Sequence, residues 1–124
     1  MQASTTAPSG TIALTVTTLS ATELAAWQAE HKAFALLDVR RAQARSASGV
    51  QIAGGQWRDP ALWLDWKDQV ATDLPVVLYC AHGHEISIGL TATLLAMGVD
   101  ARGLAGGMSG WQAQGLPVVN AVSA

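Results

Sequence analysis

Apolar and polar positions along the chain change period several times, and each change marks an expected element. Ile12 to Val16 (IALTV) alternates well enough for a short edge strand. In "LSATELAAWQAEHK" the period becomes helical, with Leu24, Trp27 and the stem of His31 on one face. Ser20 stands as N-cap and Glu23 completes a capping box. "FALLDV" (34–39) is then an apolar run reaching Asp38, the pattern of a parallel strand covered on both faces. After Arg40 the residues become polar and small, and Gly54-Gly55 marks a turn.

In "DPALWLDWKDQV", Asp59 is an N-cap and Pro60 takes the first helical position. Leu62, Trp63, Trp66 and Val70 form its apolar stripe. "LPVVLYC" (74–80) is apolar and β-branched, the clearest strand of the chain. Residues 86–97 read as a helix, apolar on nearly every side and therefore buried, with Gly98 closing it. "DARGLAG" gives a short strand into Gly106-Gly107, and "SGWQAQGL" a last short helix ended by Gly115 and Pro117. Strands alternate with helices, so the expected fold is an α/β layer fold with a mostly parallel sheet. Sheets of this kind bind ligands beyond the carboxyl ends of their strands. Cys80 stands at such an end.

The length of 124 residues suits one domain with a real core. The expected division is a Ser/Thr/Ala/Pro/Gly-rich tail over 1–10, a domain over 11–120 and a short tail over 121–124. Half the residues are apolar (50%), 13% are charged and the net charge is −2, which excludes a disordered chain. No basic run or aromatic–basic interleaving supports a nucleic-acid partner. No apolar stretch is long enough to span a bilayer, and the first residues lack the features of a signal peptide. The single cysteine permits no internal disulfide and fits a reducing compartment, so a cytoplasmic monomer is expected.

Cys80 opens "YCAHGHEIS", where histidines, a glycine and a glutamate crowd behind a strand. A loop curling from a strand into a helix N-terminus turns backbone N–H groups inward, and the helix start adds unpaired donors. A cysteine at its lip becomes a thiolate more readily, and the same donors stabilise a persulfide or an oxyanion. Gly83 suits the curl because glycine tolerates positive φ. A small buried thiol is the plainer reading, but the strand-end position ahead of a helix favours a nucleophile.

Four pieces in order resemble the rhodanese-type sulfurtransferase family over about residues 15–119. "LLDVR" (36–40) resembles its strand ending in Asp-x-Arg. "GVQIAGG" (49–55) resembles its Gly-His-Ile-x-Gly-Ala turn, with Gln51 in place of the histidine. "LPVVLYC" resembles the strand bearing the catalytic cysteine, and "LAGGMSGWQAQGLPVV" (104–119) the terminal signature. The resemblance implies an α/β three-layer rhodanese-like fold, a central mostly parallel sheet of about five strands with helices on both faces, in which Cys80 accepts a sulfane sulfur as a persulfide. The sulfur would come from thiosulfate or a persulfide and pass to a thiol or cyanide, with no cofactor and with a protein acceptor conceivable.

The loop departs from the family pattern. The common form reads Cys-Arg-x-Gly-x-Arg-Ser, whereas Cys80-Ala81-His82-Gly83-His84-Glu85-Ile86-Ser87 has no arginine. If Ser87 matches the family serine, the loop has the length of the phosphatase and arsenate-reductase branch, Cys-x5-Arg. Ile86 then occupies the arginine position and cannot clamp a tetrahedral anion. A non-catalytic sensor or docking module is a second alternative.

His82 and His84 can supply part of the missing positive charge, since histidine changes charge near neutral pH. Glu85 either repels an anionic donor or favours the helix N-terminus, and the second role is preferred. Asp38, Trp57, Arg58 and Arg102 are further candidates for the pocket wall, whereas Arg40 is expected to pair within the structure. Cys80-x-His82-x-His84 has the look of a metal cluster, but a tight cradle points such side chains outward, so no metal is expected. Trp27, Trp63, Trp66 and Trp111 are read as packing residues, and His31 as structural.

Overall fold

A computed structural model of the chain describes residues 17–121. The expected strand over Ile12–Val16, the tail over 1–10 and, Ala121 apart, the tail over 121–124 lie outside the described residues. Strands β1 (Thr18–Leu19), β2 (Ala35–Asp38), β4 (Gln56–Trp57), β5 (Val76–Tyr79) and β6 (Ala101–Leu104) form a five-stranded sheet in the order β1-β6-β5-β2-β4. Every pairing in it is parallel. β3 (Val50–Ile52) and β7 (Val118–Asn120) make a separate antiparallel pair.

Helices cover both faces. α1 (Ala21–Ala29) and α5 (Gly107–Ala113) pack Leu24, Met108 and Trp111 with Leu36, Val77, Tyr79 and Leu104. α3 (Trp63–Trp66) and α4 (Glu85–Ala96) pack Trp66 and Leu94 with Leu37, Val76, Leu78 and Ala101. Successive strand residues therefore feed opposite cores, and that two-sided cover is why all four residues of β5 are buried.

Local signals fix several elements. Glu23 N–H donates to Ser20 Oγ, and Ser20 N–H to the Glu23 carboxylate, so the capping box forms. Asp59 caps the next segment by accepting from Ala61 N–H. That segment is not one helix but two 3-10 turns, Pro60–Leu62 and Lys67–Gln69, around the single turn of α3. Its expected stripe is only partly buried: Trp66 is in the core, while Leu62 is 52% exposed. α4 is one-sided rather than apolar all round. Ser87, Thr91 and Leu94 are buried, and Gly89, Thr93 and Ala96 face out. His31 falls past the end of α1, exposed and with φ 55°.

The polar stretch after Arg40 forms α2 (Ala42–Ser48), which buries no residue. The parallel register sets Asp38 beside Tyr79 on one side and Trp57 on the other. The chain thus leaves three neighbouring strands at one edge, at Val39, Cys80 and Arg58.

Candidate active site

β5 delivers Cys80 to that edge, and residues 81–84 curl from it into α4. The curl is held from outside. Met108 N–H donates to the Cys80 carbonyl at 2.9 Å and Ser109 N–H to the Ala81 carbonyl at 2.8 Å. With its carbonyls turned toward α5, the loop presents N–H groups inward. Two glycines permit the fit. A Cβ on Gly83 (φ 74°) would lie 2.7 Å from Gly106 N, and one on Gly107 (φ 58°) 2.5 Å from the Cys80 oxygen. The Gly-Gly pair near the end of the chain and the glycine of the loop are therefore two halves of one close approach.

Inside the curl, Cys80 is 5% exposed and its Sγ lies 3.3 Å from Ser87 Oγ. Burial is the largest single influence and pushes the thiol up, but the Ser87 hydroxyl and the N–H groups of Ser87, His84 and His82 together outweigh it. The net direction is down, below the ordinary thiol range. The side chain needed to hold a thiolate is thus a hydroxyl from the first turn of α4, not a cation of the loop.

A cavity of about 730 Å³ opens in front of Cys80. Ala81, His82, His84, Glu85 and Ile86 wall it on the loop side. Gly83 and Ser87 are absent from that wall and line a smaller cavity of about 280 Å³ with His82 and His84. Glu85 is the first residue of α4 and also faces the larger cavity, so it holds both positions considered for it. The two histidine rings lie 6.3 Å apart. Among the described residues no group of three His, Cys, Asp or Glu side chains is placed to hold a metal.

The remaining wall comes from the β2–α2 turn, through Arg40, Arg41 and Ala44. Arg40 does pair within the structure, though its main partner is Asp38 of the strand itself, and the segment after the strand, expected to pair with it, supplies one carbonyl. Its Nε and Nη2 donate to Asp38, at 2.9 and 2.7 Å, and Nη2 also to the Val50 carbonyl. Yet the same residue lines the cavity, a second role that reading it as purely structural left out. Arg41 was not singled out at all, and the only sign of it is the doubled arginine behind Asp38-Val39.

Asp38, Trp57, Arg58 and Arg102 do not line the Cys80 cavity. Asp38 is fully buried beneath Arg40, with Arg45 3.8 Å away. Trp57 stands behind the wall, its indole N–H donating to the Arg40 carbonyl at 2.9 Å and its ring under Arg45. Arg58 donates its backbone N–H to the Asp38 carbonyl. Arg102 is the second residue of β6, far from that strand's carboxyl end; it pairs with Asp100 and covers the Trp27 ring. Gln51 replaces a histidine within a buried network, donating to the Gly55 carbonyl and accepting from Arg45.

The family model of the rhodanese-like domain matches residues 20–114. The chain belongs to the rhodanese-like domain family. Solved structures agree in fold. A rhodanese-related protein from Thermoplasma volcanium is 24% identical, over 83% of this chain and 97% of its own, with a TM-score of 0.73. A thiosulfate sulfurtransferase from Pseudomonas aeruginosa is 25% identical with a TM-score of 0.71, over 86% of this chain but only 20% of its own length. A Rhodopseudomonas palustris protein of unknown function, described as a possible tyrosine phosphatase, is 21% identical over 94% and 98% of the two chains, with a TM-score of 0.75. No curated protein matches the chain. Among the described residues no helix is long and apolar enough to cross a membrane.

Proposed function

We propose that this rhodanese-like domain is a sulfurtransferase that carries a sulfane sulfur on Cys80. The supporting observation is the loop interior, where the Ser87 hydroxyl and three backbone N–H groups converge on the Cys80 sulfur. Such donors favour an anionic sulfur whether it is the thiolate or the terminal sulfur of a persulfide. In the first half-reaction the thiolate attacks the sulfane sulfur of a donor. The bond from that sulfur to the donor breaks, its electron pair leaves with sulfite or a thiolate, and Cys80–S–S⁻ remains. In the second, a thiol or cyanide attacks the outer sulfur and Cys80 leaves as thiolate. Neither half needs a redox partner or a cofactor.

Phosphoryl transfer fits the loop less well. A loop of Cys-x5-Arg type ends in a guanidinium that carries the charge of the transition state, and Ile86 has none to offer. A docking module without chemistry would have no use for a thiol held below its ordinary range.

The test is intact mass after incubation with thiosulfate, a mercapto acid persulfide and an inorganic persulfide. The expected product is one added sulfur on Cys80, removed by cyanide as thiocyanate and absent from a folded Cys80→Ser variant. A folded protein that no donor modifies, or that hydrolyses an aryl phosphate in a Cys80-dependent way, refutes the proposal.

A further inference from the structure

The loop accounts for the reacting sulfur but not for the rest of a donor. The cavity in front of it, about 730 Å³, is of the size that encloses organic ligands rather than a small inorganic ion. Two cations from the β2–α2 turn wall it, in different states. Arg40 is 1% exposed; its Nε and Nη2 are bonded to Asp38 and Val50, while its buried Nη1 has no hydrogen-bond partner. Asp38 also faces Arg45 at 3.8 Å, so one buried carboxylate is shared by two guanidinium groups. Arg41 is exposed, and its side chain enters no ion pair among the described residues. It also borders a neighbouring cavity of about 420 Å³ with Asp59 and Ile86, where the Asp59 carboxylate is engaged by Ala61 N–H. Among the described residues Glu85 is the one acidic side chain on the larger cavity, and it stands on the loop side.

We propose that Arg41 is a specificity-determining residue that selects organic persulfide donors bearing a carboxylate beyond their sulfane sulfur. This rests on the sulfur-transfer reading above. In thiosulfate the charged group is bonded directly to the transferred sulfur, leaving most of the cavity unused. In an organic persulfide R–S–S⁻ the outer sulfur enters the loop while R extends into the cavity. A carboxylate on R is repelled by Glu85 and drawn to Arg41, with the unpartnered Arg40 Nη1 behind it. The pose therefore has a direction, with sulfur at the N–H groups and carboxylate at the turn. Cys80 thiolate attacks the outer sulfur, the S–S bond of the donor breaks, and R–S⁻ leaves with the electron pair. Counting the carboxylate on R, three negative charges stand on each side of the step.

The experiment compares Cys80 loading rates from the persulfide of 3-mercaptopropionate and that of its methyl ester, which differ in one charge. Wild type should prefer the carboxylate donor. Arg41→Gln should lower the carboxylate-to-ester rate ratio about tenfold, equivalent to about 1.4 kcal/mol, and Arg41→Lys should restore part of it. An equal ratio in wild type and Arg41→Gln, with Cys80 loaded by both donors, overturns this proposal alone. Failure of both donors and of thiosulfate to load folded wild type overturns the sulfur-transfer reading, and this proposal with it.

Discussion

Replacing Gly107 by alanine should cost far more than its backbone conformation alone, because Gly107 is where α5 meets the loop. Its φ of 58° lies in the left-handed region, which costs an L side chain about 1–2 kcal/mol. A Cβ there would also sit 2.5 Å from the Cys80 oxygen and 2.5 Å from Gly83 N, backbone atoms that cannot step aside separately. Overpacking of this kind adds about 1–3 kcal/mol, for a total of about 2–5 kcal/mol. Gly115 supplies the control: its φ is 71°, but a Cβ on it meets nothing within 4 Å. Gly115→Ala should therefore lose only about 1–2 kcal/mol. At roughly 4 °C per kcal/mol for a domain of this size, the expected falls in Tm are about 4–8 °C for Gly115→Ala and about 8–20 °C for Gly107→Ala. Calorimetry measures both, and alkylation by iodoacetamide below the unfolding transition reads the loop. Alkylation of Cys80 should slow in Gly107→Ala, whose displaced loop no longer aims its N–H groups at the sulfur, and should be unaffected in Gly115→Ala. Equal Tm losses with equal alkylation rates would refute the close approach as the origin of the loop's shape.

Two other outcomes follow from the same geometry. Alkylation proceeds through the thiolate, so the rate in wild type should rise with pH below the range of a free cysteine; Ser87→Ala should move that rise to higher pH and slow the reaction at pH 7 about fivefold, as loss of one hydrogen bond implies. An unmoved profile would contradict the role of the hydroxyl. Arg40→Met should lose about 3–5 kcal/mol in urea unfolding, because the buried Asp38 carboxylate loses its close guanidinium and keeps the residue-40 backbone N–H and the longer contact to Arg45; an unchanged midpoint would show that the ion pair is not what holds the turn.

Elements that carry their own instructions were legible in the sequence. β5 shows as an apolar, β-branched run, Ser20 and Glu23 announce α1, and Asp59-Pro60 marks the turn that follows. Cys80 was found because a strand end ahead of a glycine and a helix is a position, not merely a residue type. α2 was invisible because "AQARSAS" has no apolar face to show, and indeed buries nothing. β3, β4 and β7 are two or three residues long, too short for a period; their partners, not their composition, make them strands. The stripe over 62–70 held for Trp63, Trp66 and Val70, which pack on the core, and failed only at Leu62, apolar yet exposed. The cations of the site were missed on similar grounds. A chain read in order shows where Arg40 and Arg41 leave the sheet, but not that their turn folds back over a loop some forty residues later. Arg102 shows the reverse error: its strand was recognised, but not that it sits near the beginning of that strand.

The hydrogen bonds from Met108 and Ser109 to the Cys80 and Ala81 carbonyls place two amide protons on the outside of the loop that holds Cys80. A change of charge at Cys80 polarises the peptide groups between them, so these two resonances become a built-in gauge of the site. Deprotonation and sulfur loading could then be followed in an ordinary amide NMR spectrum, with no label, dye or substitution inside the loop itself.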